Sequence, residues 1–291
     1  MGTNLAETGP ETKITLAGQV CIDHNDIEGR QYTDWGSAVL YMADYYRQSH
    51  GLSPAVLSSY GPDFAGYAER VSLYPETPNT NRTLIYKNVV RRGIRRQHCL
   101  NAAGEILPPI DQGAEAVLKG TDIFFLAPLT PVYHPDYVEK MLASVPEDRL
   151  KVLLPQGYLR RIAIDGMVDT REFEEATDVI PKFDLLIFSE EDVPDAVGLA
   201  RAWKQQHPKT QVIVTRGPDG ASIIEVDEEI HVATTPVSKD CTDTTGCGDT
   251  FSAAAAYYFT EDPTDLYKAV DKANMAARQK LLANLFGGVR S

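Results

Sequence analysis

Short continuous apolar runs recur along the chain, separated by segments whose apolar positions fall at helical spacing. "KITLAGQVCID" (Lys13 to Asp23) is apolar almost throughout and predicts one strand that ends at a cluster of acidic and turn residues. "GSAVLYMADYYR" predicts a helix, "PAVLSSYGPD" a strand running into a turn, and "FAGYAERV" a second helix. From residue 121 the alternation becomes regular. "DIFFLAPL", "KVLLPQGYL", "FDLLIFSEED" and "TQVIVTRGPDG" read as strands. "YHPDYVEKMLASV", "TREFEEATDVI" and "DAVGLARAWKQQ" read as the helices between them. Strands without a polar face, alternating with helices, imply βαβ units and a mostly parallel sheet covered on both sides. Ligands of such sheets sit at the carboxyl ends of the strands. That rule selects Asp23, Gln156, Ser189 to Asp192 and Thr215 to Gly220.

One segment breaks the pattern. "NRTLIYKNVVRRGIRRQHCLNAAGEI" (Asn81 to Ile106) is rich in β-formers, has turns expected at Gly93 and Gly104, and predicts a small exposed sheet. Lys87, Arg91, Arg92, Arg95 and Arg96 make it a basic island in a chain of net charge −13. The charges either keep solvated strands soluble or attract an anionic substrate. The overall acidity argues against nucleic-acid or anionic-membrane partners, which need clustered positive charge. The four cysteines, Cys21, Cys99, Cys241 and Cys247, show no metal-type spacing, and free thiols suit a reducing compartment. The polar start of the sequence lacks the pattern of a signal peptide, and no run reaches membrane-spanning length. A soluble, cytoplasmic α/β protein of 291 residues is expected.

The densest chemistry lies in "DTTGCGDTFSAAAAYYF", where Gly246, Cys247 and Gly248 open a helix beginning near Asp249. First-turn N–H groups and the helix dipole favour an anion, and glycines let the backbone approach it. A carboxylate such as Asp249 is unwelcome beside a phosphate unless it caps the helix or takes a proton from an attacking hydroxyl.

"DTTGCGDTF" resembles the C-terminal signature of the PfkB/ribokinase carbohydrate kinases, D-T-x-G-A-G-D. "SSYGPDFAG" resembles the family's V-G-x-D-x-x-G segment, "VTRGPDGASI" its T-x-G-x-x-G nucleotide loop, and "DKANMAAR" its late A-N-A-A-A helix. No P-loop motif occurs. The resemblance implies a ribokinase-like three-layer sandwich over residues 1–291 with a mostly parallel central sheet. It also implies a small β-sheet lid, formed by about 26–34 and 79–107, which often carries a dimer contact. Asp249 would be the catalytic base, with the amides of Gly246, Cys247 and Gly248 as the anion hole. Thr215, Gly217, Gly220 and Asn274 would lie along ATP, and Asp192 would hold Mg²⁺ through a water. Asp243 and Thr245 match positions that hold a monovalent cation, K⁺, in some members. Asp23, Gly36, Gln156 and Arg160 would meet the substrate. "QGYLR" is similar to a segment of an inositol-kinase-like branch.

The sequence also departs from the family. Trp35 replaces a glycine of G-G-x-x-x-N and Leu40 its asparagine, which puts a ribose- or fructose-like acceptor in doubt. Ser189 and Asp192 stand where N-x-x-E is usual, and Cys247 replaces alanine. A kinase for a sugar or cyclitol is the leading expectation. A nucleoside kinase, with Tyr32, Trp35 or Tyr41 walling the base, and a non-catalytic ligand-binding protein are the alternatives.

Overall fold

The computed structural model describes residues 12–92, 94–237 and 243–286. Met1, Gly2, Gly93 and Cys241, singled out in the sequence or part of its polar start, lie outside them. The first half contains β1 (Ile14–Ala17), β2 (Cys21–Ile27), β3 (Arg30–Gly36), α1 (Ala38–His50), β4 (Ala55–Leu57), α2 (Ala65–Ala68) and β5 (Ser72–Tyr74). It continues with β6 (Leu84–Arg91), β7 (Ile94–Leu100), α3 (Gln112–Lys119), β8 (Ile123–Leu126) and α4 (Pro135–Leu142). Then follow β9 (Leu150–Leu153), β10 (Arg160–Ile162), β11 (Val168–Thr170), α5 (Ala176–Val179), β12 (Leu185–Ser189), α6 (Ala196–Gln206) and β13 (Gln211–Thr215). The chain closes with β14 (Ala221–Ile224), β15 (Glu229–Val232), α7 (Cys247–Glu261) and α8 (Leu266–Phe286).

Among the described residues, nine strands form one sheet in the order β15-β14-β13-β12-β9-β8-β1-β4-β5. It is parallel except where β14 and β15 fold back. Alternation of side chains explains why its strands read as unbroken apolar runs. Leu16, Phe125, Val152, Ile187 and Ile213 enter a core under α1, α7 and α8. Their neighbours Ala17, Phe124, Leu153, Leu186 and Val212 enter a second core under α3, α4, α5 and α6. Helix starts follow local chemistry: Asp111 accepts from the N–H of Gly113 and Ala114, and Asp195 from that of Gly198. Among the described residues no helix is long and apolar enough to cross a membrane.

A separate four-stranded sheet, β3-β2-β6-β7, stands beside this body. It corrects the reading of Lys13 to Asp23 as one strand. The chain bends at Gly18, where a Cβ would come within 3.0 Å of the Ala127 carbonyl carbon and of Val39 Cγ1. Gln19 anchors the bend, donating to Thr130 Oγ1 (2.7 Å) and accepting from the Leu129 N–H (2.6 Å). Asp23 therefore lies inside a strand of the small sheet, not past the end of β1. The helices expected from "FAGYAERV" and "TREFEEATDVI" shrink to α2 and α5. Turn bonds at Arg70 and Val71 end the first, while Thr170 is drawn into the β10–β11 pairing and Pro181 follows the second.

Candidate active site

The loop before α7 is built around Gly246, whose φ of +73° is the left-handed conformation glycine tolerates. A Cβ there would come within 2.8 Å of the Tyr41 ring. The Gly246 carbonyl accepts the Thr250 N–H at 2.9 Å, starting the helix. Gly246 is buried, whereas Gly248 is exposed and the Cys247 amide donates to the Thr244 carbonyl at 3.1 Å. The expected three-amide anion hole is thus narrowed. Gly248 presents its backbone to solvent, Gly246 shapes the turn, and the Cys247 N–H already has an acceptor.

Asp249 follows in the first turn of α7 and lines a cleft with Gln156, Ser189, Asp192, Thr215 and Gly248. Gln156, Ser189, Asp192 and Thr215 come from the carboxyl ends of β9, β12 and β13, where a parallel sheet places its ligands. Asp249 keeps some accessible surface, yet protein surrounds it at longer range, as at the bottom of a cleft. Desolvation pushes its carboxyl up to about 6; Arg95 and Arg160 pull it down, and Asp192 and Asp23 push it up further. Asp192 accepts from Gln156 Nε2 (3.1 Å) and from the Ser189 N–H (2.9 Å), which fixes its carboxylate at the cleft wall.

The small sheet stands near enough for its Arg95 and Asp23 to act on the Asp249 charge. Register puts Asp23, Tyr86 and Cys99 in one row of its inner face, and Asn25, Asn88 and Gln97 in the next. Asn88 Oδ1 accepts from Gln97 Nε2 (2.7 Å) and Arg95 Nη2 (3.3 Å), and Asn88 Nδ2 donates to Asn25 Oδ1 (3.0 Å). Arg160 Nη2 reaches Gln97 Oε1 at 3.5 Å, with its guanidinium 5.4 Å from the centre of the Tyr86 ring. Arg160 sits at the start of β10. Arg95 is accessible to solvent but likewise enclosed by the cleft; burial, then Arg160, lowers its pKa, and Asp23 opposes them. Burial raises the Asp23 carboxyl, while bonds from Cys21 and Asn88 and the Arg95 charge restrain it.

Gly36 has a different part from the one expected. Its missing Cβ makes room for the Asp23 carboxylate across the β2–β3 pair, so it positions a substrate candidate rather than admitting a ligand to its own backbone. Beside it, Ser37 adopts φ +114°, ψ 155°, with a buried hydroxyl that has no partner among the described residues. Asn25 Nδ2 is similarly buried without a hydrogen-bond acceptor.

Gln156, Asp192, Thr215, Gly248 and Asp249 are therefore brought together, with Asp23 and Arg160 close enough to bias the Asp249 charge. Gly217 (φ +51°) and Gly220 (φ +97°) shape the β13–β14 turn beside a second cleft lined by Arg216, Asp219, His231 and Thr234. Asn274 is 5% exposed and donates to the Val232 carbonyl at 2.9 Å, so its amide braces α8 against β15 instead of facing a base. Trp35, at 3% exposed, packs on Tyr67 and is part of the core. Sequence reasoning missed Asn25, Ser37, Asn88 and Gln97, and left Arg95 among undifferentiated basic residues. Strand parity could have found it: Arg95, Gln97 and Cys99 share one face, whereas Lys87 and Arg96 point to the other and Arg91 pairs with Asp26 at 2.6 Å.

Comparison with known proteins adds the following. Residues 156–284 match the family model described as pfkB family carbohydrate kinase. No curated protein sequence matches the chain. A pyrophosphate-dependent kinase in the ribokinase family, complexed with a pyrophosphate analog and myo-inositol, superposes with TM-score 0.74 at 17% identity, covering 92% of this chain and 95% of that one. The ribokinase of Thermotoga maritima gives 0.68 at 16%, covering 94% and 99%. An Arabidopsis thaliana ribokinase complexed with ribose and ATP gives 0.66 at 16%, also covering 94% and 99%. The fold is thus ribokinase-like, with a large mostly parallel sheet and a small separate one.

Proposed function

From a chain that folds as ribokinase-family kinases do and matches the pfkB carbohydrate kinase model over residues 156–284, we propose a phosphotransferase. It moves a phosphoryl group from ATP to a hydroxyl of a small neutral cyclitol or sugar. The observation that carries this reading is Asp249, held near a pKa of 6 on the first turn of α7, between an exposed glycine backbone and two arginines. A carboxylate so tuned accepts a hydroxyl proton near neutral pH. The α7 N-terminus and the Gly248 backbone stabilise charge on the phosphoryl group as it transfers.

The inner face of the small sheet supports a polyhydroxylated acceptor. Asn25 Nδ2 and Ser37 Oγ have no partner among the described residues, Arg95 and Arg160 offer donors, and Asp23 offers an acceptor. The arginines are offset by Asp23 and Asp249, which favours an uncharged ligand over an acidic one. Burial of Trp35 and Tyr41 leaves half-buried Tyr32 as the one accessible ring of the three expected to wall a nucleoside base. Asp192 fits a role in holding a magnesium-bound water: its oxygens face the cleft, and each accepts one bond with lone pairs remaining. Magnesium bound with the donor would neutralise charge on its phosphates.

The test is a turnover screen of inositols, sugars and nucleosides, run with magnesium and either ATP or pyrophosphate, on wild type and Asp249→Asn. Turnover of a cyclitol or sugar that falls by about 10²–10⁴-fold in the variant is expected for loss of a general base. Full activity in Asp249→Asn, or turnover of nucleosides alone, would overturn the proposal.

A further inference from the structure

The loop that leads into α7 is where the family resemblance places a monovalent cation, at Asp243 and Thr245. Such an ion needs several oxygen lone pairs converging on one point, commonly from backbone carbonyls. Here the carbonyls of Asp243 and Thr245 do converge, but on Asn284 Nδ2, at 3.0 Å from each oxygen. Both partners are acceptors, so the atom between them must be the amide nitrogen and not the amide oxygen. Its two N–H bonds match the two carbonyls. The Asp243 carboxylate is engaged as well, Oδ1 by the Thr245 N–H (3.1 Å) and Oδ2 by the Tyr32 hydroxyl (3.3 Å).

One turn earlier on α8, the Lys280 stem passes Gly246, where a Cβ would come within 3.3 Å of Lys280 Cε. Its ammonium lies 5.7 Å from the centre of the Tyr41 ring, so a positive charge is already tethered beside the turn. A donor stands at the meeting point of the carbonyls and an ammonium stands nearby. These residues do not fit a bound cation. We infer that Asn284 is a positioning residue that does the cation's work, holding the Asp243–Gly246 turn so that Gly248 and Asp249 face the cleft. The protein then works without potassium.

Only the activity arm of the test rests on the proposed phosphotransferase reading. Wild-type protein is melted and assayed in potassium, sodium and tetramethylammonium chloride at one ionic strength. The expected result is a melting midpoint unchanged to within about 1 °C, because a cation that does not bind the native state cannot stabilise it. Turnover should agree within about twofold across the three salts. In Asn284→Asp an oxygen replaces the donor, so potassium should raise both the midpoint and turnover, the latter about tenfold over tetramethylammonium, as expected for two lost hydrogen bonds restored by an ion. A potassium-specific rise of midpoint or turnover in wild type would overturn the inference, as would a folded Asn284→Asp variant indifferent to the salt. If no acceptor is turned over, the function proposed above fails, while the midpoints still decide the question of the cation.

Discussion

Asp249 carries two opposed consequences of one burial. Its folded carboxyl keeps its proton up to about 6, against 3.8 for the ordinary group, so between those values the folded state binds more protons than the unfolded chain. Stability from this residue is therefore greatest below 3.8, falls as pH rises through the window, and stays low above about 6. Catalysis needs the opposite form. A plot of log kcat/KM against pH should climb with unit slope and bend near pH 6. Asp249→Asn should raise the melting midpoint at pH 8 by about 2–4 °C and leave it unchanged at pH 3.5. A midpoint lowered at pH 8 would mean that the carboxylate is held by compensating bonds. Ser37 tells a similar story in its backbone. Its φ, ψ pair lies in territory that essentially only glycine occupies, at a cost for serine of about 1–3 kcal/mol. Ser37→Gly should stabilise the protein by about 1 kcal/mol in urea unfolding. An unchanged midpoint would show that the conformation is not strained.

At the scale of elements, β7 splits a basic segment into two populations. Arg95 faces the cleft, and Arg96 the outer side. Arg95→Ala should raise the acceptor KM about tenfold, through lost charge-assisted donors. It should also move the ascending limb of the pH profile to higher pH, because Arg95 is the stronger of the two cations holding the Asp249 carboxyl down. Arg96→Ala should do neither, and equal effects from the two variants would refute the assignment of faces. Hydrophobic periodicity announced the main sheet, and glycines before an apolar run announced the start of α7, because strand periodicity and helix-start chemistry are local. The bend at Gly18 was hidden, since an apolar run does not record which of two sheets each residue joins. Asn284 was hidden for a related reason: it meets Asp243 and Thr245 across about forty residues of chain, and nothing in its neighbourhood marks it as a partner.

The whole molecule is unevenly held together. Two large cores clamp the main sheet, whereas among the described residues the small sheet's own cluster is Cys21, Leu84, Tyr86, Cys99 and Leu129, with partly buried Ala102, Ile162 and Val168 against it. The same inner face turns polar one row further along, where Asn25, Asn88 and Gln97 stand in place of apolar burial that would stabilise the sheet. Two of its links to the body are short, Gly18 to Val20 before β2 and Ser37 between β3 and α1, whereas 75–83 before β6 and 101–111 after β7 are longer. A unit with little apolar burial opens at lower free energy than the core it leans on. Amides of β2, β6 and β7 should therefore exchange with deuterated solvent at least about tenfold faster than those of β8, β12 and β13. Acceptor and a non-transferable donor together should slow the small sheet while leaving the central strands unchanged, because ligand bound between the two walls adds contacts to the weaker one. Equal protection in the two sheets without ligand would mean that they unfold as one unit. The small sheet would then be a fixed wall, and its polar face would recognise substrate without closing over it.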